Sequence, residues 1–191
     1  MADAGRVIAG TARSIRLDAP GVGTRPLADR VKQTLFGILE PDIPGSRFLD
    51  LFAGSGAGGI EALSRGAAHA TFVERDAGAI RVIRANLERT ALAGDERASV
   101  VRSDVLTWLH ATERGKDDPY DLALLDPPYD DTSALAKALD AVGRLLSPGA
   151  RAVAKHFWRT PPPAAVGLLA SERERRFGDT ALTFYRRVED A

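Results

Sequence analysis

The sequence predicts an α/β fold built around a mostly parallel sheet, and three observations lead to this class. From Arg47 onward, short apolar runs alternate with longer segments whose apolar residues recur every three or four positions. A glycine-rich turn follows the first of these runs. Near the C-terminus, Gly178-Asp179 separates two strand-like segments, which is typical of a β-hairpin. We therefore expect a Rossmann-like, seven-stranded, mostly parallel sheet with a C-terminal antiparallel hairpin.

The individual elements follow from periodicity and from turn residues. Helices are predicted over 77–90 and 132–146, because each segment has one apolar face, and Ser147-Pro148-Gly149 should end the second helix. The hairpin strands should cover 172–177 and 180–188. The parallel strands are predicted over residues 47–52, 70–74, 99–102, 120–126 and 150–156.

The first 46 residues are predicted to form an extension to the main domain of residues 47–191. Residues 6–10 and 14–17 suggest a small β-pair. A helix should begin near Pro26, and Leu27, Val31, Leu35 and Ile38 or Leu39 would line its apolar face.

Composition excludes several classes of function. The chain has no cysteine, which removes disulfides, thiolate metal sites and the usual covalent route to pyrimidine C5 methylation. His69, His110 and His156 are scattered without ligand spacing, so no metal site is expected. No apolar stretch approaches the ~20 residues of a spanning helix, and the N-terminus does not read as a signal peptide. We expect a cytoplasmic, monomeric protein with no membrane partner.

Charge is balanced overall but uneven along the chain. The 26 basic residues equal the 26 acidic residues, so any nucleic acid must be bound locally. Residues 151–187 carry eight lysines and arginines against three acidic residues. This segment permits a polyanionic substrate, or it is simply a solvated face.

The glycine-rich turn has the pattern of a nucleoside cofactor site. Gly54, Gly56 and Gly59 match G-x-G-x-x-G between a strand and a helix, and Glu74 ends the next strand. Glycine lets the backbone approach a ligand closely, and a carboxylate after the second strand can accept both ribose hydroxyls. The pattern suits a nicotinamide dinucleotide or S-adenosylmethionine.

Asp50 favours S-adenosylmethionine over a dinucleotide. A carboxylate beside the turn would repel a pyrophosphate, whereas it suits a sulfonium cofactor with a free ammonium group. Alternatively, Asp50 caps a backbone amide in the turn. Ser103 and Asp104 follow the third strand, where they would meet an adenine amine or cap the next helix. The predicted cofactor residues are Asp50, Phe52, Ala53, Gly54, Ser55, Gly56, Glu74, Arg75, Ser103, Asp104 and Val105.

A second motif, DPPY, ends the fourth strand at Asp126, Pro127, Pro128 and Tyr129. Tandem proline cannot donate to a sheet ladder, so a role beyond folding is indicated. An amine conjugated to an aromatic base is a poor nucleophile, because the nitrogen lone pair is delocalised into the ring. It becomes reactive when that lone pair is drawn out of conjugation. The Asp126 carboxylate and the rigid Pro127 carbonyl would accept its two hydrogens, and Tyr129 would stack on the base. We predict these four residues to be catalytic.

Together these motifs resemble those of a known family. DPPY is similar to the signature of methyltransferases that act on exocyclic amines of nucleic acid bases. With the FAGSGA loop and RPLADRVKQTLF at 25–36, the chain resembles the RsmD family from Arg6 to Arg187. The resemblance implies a class I S-adenosylmethionine-dependent fold and methylation of guanine N2 in 16S rRNA. It also implies a substrate in a small-subunit assembly intermediate.

The resemblance also bears on RNA contacts. Arg25, Asp29 and Arg30 match the family's R-P-x-x-D-R-V segment, which implies a contact with substrate. Lys155 and His156 stand where the family usually has a glutamate, so either residue could contact RNA, although ordinary edge-strand solvation is the simpler interpretation of both. The predicted RNA-binding residues are Arg6, Arg13, Arg16, Arg25 and Arg30.

Three alternatives to rRNA methylation remain at this stage. DPPY alone does not separate guanine N2 from adenine N6 in DNA, although no duplex-recognition domain is visible. The glycine pattern also fits a nicotinamide-dependent oxidoreductase. Finally, the chain could be an RNA-binding module that keeps the pocket without catalysis.

Overall fold

The computed structural model describes residues 2–21, 27–94, 96–112, 119–128 and 131–188. Short 3-10 turns at Glu40–Asp42 and Gly143–Leu145 follow the first and last helices of this part of the chain. In chain order the described elements are β1 Ala2–Arg6, β2 Arg16–Ala19, α1 Asp29–Leu39, β3 Arg47–Leu51, α2 Ala57–Ser64, β4 His69–Glu74, α3 Ala77–Arg89, β5 Ala98–Arg102, α4 Val105–Ala111, β6 Tyr120–Leu125, α5 Thr132–Val142, β7 Leu146–Phe157, β8 Ala165–Val166, β9 Leu169–Phe177 and β10 Thr180–Arg187.

One sheet organises the molecule, with the strand order β5-β4-β3-β6-β7-β10-β9-β8. The strands from β5 to β7 are parallel, and β10 pairs antiparallel with both β7 and β9. The order in which successive strands are added to the sheet reverses between β3 and β6. Strands β4 and β5 lie on one side of β3, whereas β6 and β7 lie on the other. A ligand cleft is expected at the carboxyl ends of the strands at such a reversal.

Helices cover both faces of this sheet and define two apolar clusters. On one face, α1, α2 and α3 pack against the sheet, and Phe36 stacks on Phe48 with ring centroids 6.1 Å apart. On the other face, α4 and α5 pack through residues such as Leu109 and Leu139. Both faces are therefore buried, which explains why the parallel strands read as near-continuous apolar runs.

The N-terminal β-pair is anchored on α2 and α3. Backbone amides of Ile8 and Ala9 donate to the buried carboxylate of Glu61, at 2.8 and 3.1 Å. The side chain of Asn86 accepts from Asp18 N at 2.9 Å and also donates to the Asp18 carbonyl. These long-range bonds hold the pair on the same apolar cluster as α1–α3. The division at residue 46 stays a prediction.

The predicted Rossmann-like α/β fold, its parallel order and its C-terminal hairpin are confirmed. The strand count differs, because the two-residue β8 extends the described sheet to eight strands. The N-terminal β-pair exists, but its strands are β1 and β2 rather than 6–10 and 14–17. Within the described residues, no helix is both long and apolar enough to cross a bilayer.

Two predictions about the second half of the chain were wrong. The helix predicted to reach residue 146 ends at Val142, and Ser147-Pro148-Gly149 belongs to β7. The solvated edge strand expected at Lys155 and His156 is also wrong. Both residues are buried, because β10 inserts next to β7 and makes it an interior strand. His156 Nε2 lies 2.8 Å from Thr183 Oγ1 on β10.

Candidate active site

A cavity of about 680 Å³ lies at the carboxyl ends of β3, β4, β5 and β6. Its volume is in the range of ordinary small-molecule sites. The two sequence motifs meet there, because the cavity wall includes the glycine turn after β3 and the prolines after β6. Of the predicted site residues, those that line it are Asp50, Phe52, Ala53, Gly54, Ser55, Glu74, Arg75, Asp104, Val105, Asp126, Pro127 and Pro128.

The glycine turn brings backbone to the cavity wall. Gly54 and Gly56 have φ of 54° and 77°, a region that favours glycine. Gly56 begins α2 and is not a lining residue, so its role is to shape the turn. A Cβ on Gly59 would lie 2.3 Å from the Phe72 ring, so helix and sheet can approach only with glycine here. Phe52 also adopts a left-handed backbone, with φ of 58°.

Asp50 is a buried acid of the site. Its side chain lies beneath the turn, almost fully buried, and its Oδ2 accepts a hydrogen bond from Gly59 N at 2.8 Å. Burial, with the nearby charges of Asp126 and Glu74, raises the pKa of Asp50 to about 8. The carboxyl therefore caps a backbone amide, as the alternative interpretation held, and it also lines the cavity.

Glu74 ends β4 and Asp104 lies just after β5, and the side chains of both also bond to backbone amides. Glu74 Oε2 accepts from Gly54 N at 3.0 Å, and Oε1 accepts from Asp76 N at 2.9 Å. Each carboxylate oxygen has a second lone pair, so Glu74 can still accept from ribose hydroxyls. Asp104 caps α4 by accepting from Thr107 N at 3.0 Å. Ser103 bonds to the Asp104 carbonyl and does not line the cavity.

The motif after β6 places Asp126 in the same cavity. Asp126 N donates to the Leu51 carbonyl at 3.3 Å, which ties the motif to β3. The Pro128 carbonyl accepts from Asp131 N at 3.0 Å, which fixes the start of α5. Tyr129 lies outside the described residues, so its stacking role stays a prediction.

Asp126 has a partner that sequence reasoning missed. Lys155 Nζ on β7 lies 2.6 Å from Asp126 Oδ1, and both side chains line the cavity. Burial raises the pKa of Asp126, whereas the charge and hydrogen bond of Lys155 lower it. The available signal was a lysine inside the apolar run AVAKHF, since an unpaired buried ammonium would be costly.

The charge of the cavity separates the candidate cofactors. Its wall carries six carboxyl groups against three basic residues, Arg75, Lys137 and Lys155, and even without Asp50, whose pKa is raised to about 8, the acids outnumber the bases by five to three. Such an excess repels a pyrophosphate and attracts a cofactor with sulfonium and ammonium groups. The carboxyl groups are those of Asp50, Glu74, Asp76, Asp104, Asp126 and Asp131. In the ranges that the structure describes, no cluster of His, Cys, Asp or Glu is arranged to hold a metal ion.

Of the arginines predicted to bind RNA, the four that the structure describes do not line the cavity. Arg6 and Arg16 pair with Asp29 and Asp3, at 3.3 and 3.1 Å. Arg13 lies in the loop whose amides bond to Ser64, at the end of α2 away from the cavity. Arg30 is exposed on α1, and Arg25 lies outside the described residues. Their contact with RNA stays a prediction.

Comparison with known proteins places the chain in a family. The family model described as "Conserved hypothetical protein 95" matches residues 5–186. "Putative rRNA methyltransferase YlbH" of Bacillus subtilis is 38% identical over 185 residues, which cover 95% of this chain and 98% of that protein. The chain belongs to the RsmD family. The family predicted from the sequence motifs is thereby confirmed.

The chain is also similar to a further relative and to solved structures. "Ribosomal RNA small subunit methyltransferase D" of Escherichia coli K12 is 42% identical over 125 residues, which span 65% of this chain and 60% of that protein. A Thermus thermophilus structure, described as a hypothetical protein, has a TM-score of 0.79 at 34% identity and covers 97% of this chain and 99% of its own. An RNA methyltransferase from Salinibacter ruber in complex with S-adenosyl-L-homocysteine shares the fold, at 18% identity, a TM-score of 0.66 and coverage of 87% and 96%.

Proposed function

We propose that the chain transfers a methyl group from S-adenosylmethionine to the exocyclic N2 amine of a guanine in 16S rRNA. The general activity, S-adenosylmethionine-dependent methylation of rRNA without a specified target atom, follows from membership of the RsmD family. The choice of guanine N2, and of a small-subunit assembly intermediate as substrate, rests on the resemblance of the sequence motifs to those of the RsmD family.

One observation carries the proposal: Asp126, held by Lys155, lies in the same cavity as Asp50 and Glu74. The acceptor for an amine and the candidate residues for a nucleoside cofactor therefore adjoin. Methyl transfer needs this adjacency, because donor and acceptor atoms must be brought into line.

The residues present fit S-adenosylmethionine. Asp50 would face its ammonium group, Glu74 would accept from its ribose hydroxyls, and the backbone at Gly54 leaves room for close approach. When bound, the cofactor supplies an electrophilic methyl group on a sulfonium. Asp104 and Val105 form the cavity wall beyond β5, where the adenine would lie.

Asp126 and Pro127 prepare the amine. Lys155 occupies Oδ1 of Asp126, and Oδ2 accepts no hydrogen bond from the residues that the structure describes, so Oδ2 can accept from one N2 hydrogen. The Pro127 carbonyl would accept the other hydrogen, which draws the nitrogen lone pair out of conjugation. The bound cofactor would supply the methyl group, whose bond to sulfur would break as its bond to N2 forms. The surplus proton on N2 then passes to Asp126 or to water.

Incorporation of label tests the proposal directly. The protein would be incubated with methyl-labelled S-adenosylmethionine and small ribosomal subunits that lack the modification, and the labelled nucleotide would be mapped by mass spectrometry. We expect N2-methylguanosine in 16S rRNA. A label on adenine N6 of duplex DNA instead would favour the DNA alternative, and cofactor binding without any label would favour a non-catalytic module.

Calorimetric titration tests the cofactor separately. We expect S-adenosylhomocysteine to bind and NAD not to bind, because the excess of carboxylates opposes a pyrophosphate. Preferential binding of NAD would overturn the cofactor assignment and favour the oxidoreductase.

A further inference from the structure

A basic surface on the C-terminal hairpin lies beside the cavity but forms no part of it. We define the arginine patch as Trp158, Arg159, Arg173, Arg175 and Arg176; its four arginines are exposed. The hairpin places the patch at the carboxyl edge of the sheet, because Thr180, at the start of β10, pairs with Phe157 on β7 and with Phe177 on β9. The cavity opens at this same edge.

Strand register connects the patch to Asp126. Lys155 on β7 faces Leu182 on β10, which in turn faces Arg175 on β9. Residues directly opposite each other project from the same face of a sheet, and neighbouring strands lie about 4.8 Å apart. Arg175 therefore lies on the face that carries Lys155, about 10 Å away across two strand spacings. Arg173 follows on the same face, since it lies opposite Phe184, whereas Arg176 lies opposite Ala181 and starts from the other face at the turn end of the hairpin.

The charges differ between the two ends of the hairpin. Toward the amino edge, Arg151 and Arg186 are neutralised, since Glu172 pairs with both and Asp42 pairs with Arg151. Toward the cavity, none of the four patch arginines forms an ion pair with another described residue. The acidic residues of this stretch are Glu174 and Asp179, so the patch and its turn keep an excess of two positive charges. Glu174 lies 3.5 Å from the Thr183 hydroxyl, on the other face.

The tip of the patch is preorganised by an aromatic ring. The Arg176 guanidinium lies 3.5 Å from the centre of the Trp158 ring, and that of Arg159 lies 5.0 Å away. Arg176 Nε also donates to the Gly178 carbonyl at 2.9 Å. A guanidinium held on an aromatic face loses less side-chain freedom when it binds a phosphate.

We propose that the arginine patch binds backbone phosphates of the RNA strand that delivers the target base to Asp126. This inference rests on the proposed function for its substrate. Forked guanidinium groups suit phosphate oxygens, and neutral overall charge means that the polyanion must be held locally. The patch is better placed for this than Arg6 and Arg16, which already pair with carboxylates.

The test compares two double variants of the full chain. Arg173→Gln/Arg175→Gln removes two charges from the patch, and Arg84→Gln/Arg97→Gln removes two from exposed positions near β5. Binding of naked 16S rRNA and of small subunits is measured over a series of salt concentrations, together with kcat, KM and the affinity for S-adenosylhomocysteine. Arg173→Lys/Arg175→Lys serves as a rescue, because lysine keeps the point charge.

We expect the patch variant to raise KM for rRNA about tenfold, with kcat and cofactor affinity unchanged. The slope of log affinity against log salt should fall by about 0.7 for each single-strand phosphate that the variant no longer neutralises. The control should match the wild type, and the lysine variant should recover part of the affinity.

Each other outcome overturns the patch proposal. Unchanged RNA affinity and salt slope in the patch variant would show that these arginines do not contact phosphate. A loss seen with assembled subunits but not with naked rRNA would indicate an acidic protein segment as the partner. The binding assay does not depend on turnover, so a wild type that binds rRNA but does not methylate it would contradict the proposed function alone.

Discussion

Lys155→Met is the most informative single change at this site. The substitution removes the ammonium that lies 2.6 Å from Asp126 Oδ1 and keeps an apolar stem of similar length in the interior of the sheet. Asp126 then stays in a poorly solvated cavity with no cation on its carboxylate, beside Asp50. The expected effect is on the protonation of Asp126 rather than on the binding of cofactor.

The magnitude follows from the two opposing influences on Asp126. Burial raises the pKa of Asp126 and Lys155 lowers it, so loss of Lys155 leaves only the upward influence. An adjacent opposite charge typically lowers a carboxyl pKa by about 1–3 pH units. A protonated Asp126 is a weaker acceptor for the N2 hydrogen and cannot take the surplus proton from N2. The acid limb of kcat/KM should therefore move about 1–3 pH units higher, with about a tenfold loss of rate per unit on the acid side.

The assay is methyl transfer to 16S rRNA across about pH 5–9. Lys155→Arg is the matched control, because it keeps the positive charge and should keep the acid limb near that of the wild type. Breaking a buried ion pair costs about 3–5 kcal/mol, so thermal unfolding and S-adenosylhomocysteine binding must show that the variant is folded at the assay temperature. A folded Lys155→Met enzyme with the wild-type pH profile would refute the reasoning. An equal loss at every pH would mean that Lys155 acts only through geometry.

Three further predictions concern the cavity and its scaffold. Asp126→Ala should abolish methyl transfer and leave S-adenosylhomocysteine affinity nearly unchanged, as measured by single turnover and calorimetry. Because the pKa of Asp50 is raised to about 8, it is mostly neutral at pH 7, and an arriving ammonium should ionise it. Calorimetry in buffers of different ionisation enthalpy should therefore show proton release in the wild type and none in Asp50→Asn. Gly59→Ala would place a Cβ 2.3 Å from Phe72 and should lower the free energy of unfolding by about 1–3 kcal/mol in urea titrations.

Each of these three has an outcome that contradicts it. An active Asp126→Ala enzyme would remove the residue from the mechanism. Heats of binding that are independent of buffer at pH 7 would mean that Asp50 is already ionised or does not meet the cofactor. For Gly59, the matched control is Gly37→Ala in α1, where nothing lies within 4 Å of the added Cβ, and a gain of about 0.4–1 kcal/mol is expected. Equal effects at the two glycines would contradict the packing argument.

Local sequence patterns were sufficient to predict the elements that form the site. Asp50, the glycine turn and Glu74 lie within one strand–turn–helix–strand unit, and Asp126 follows its strand directly. Strand ends of a parallel sheet meet at one edge, so placing these residues on strand ends also brings them together. The hairpin at Gly178-Asp179 is local in the same sense, because the turn residues specify it.

What the sequence could not show depends on contacts between distant segments. Lys155 was interpreted as an edge-strand residue, because no local sequence signal shows that β10 lies between β7 and β9 and pairs with β7. The ends of the N-terminal strands were missed for a similar reason. The loop between β1 and β2 is fixed by bonds to Glu61 and Ser64, more than 50 residues away. The helical period near residue 142 continued into Leu145 and Leu146, but pairing of Leu146 with Tyr120 drew that segment into the sheet.

One lysine distinguishes the surroundings of the two central carboxyl groups. Asp50 and Asp126 both lie in the cavity, and burial raises the pKa of each. Their proposed roles need opposite behaviour, since Asp126 must be charged before the amine arrives, whereas Asp50 can gain its charge from the cofactor. Lys155 pairs with Asp126, whereas the hydrogen-bond partner that the structure gives Asp50 is the neutral amide of Gly59. The strand order therefore matters for the proposed mechanism, because Lys155 can contact Asp126 only when β7 is the direct neighbour of β6.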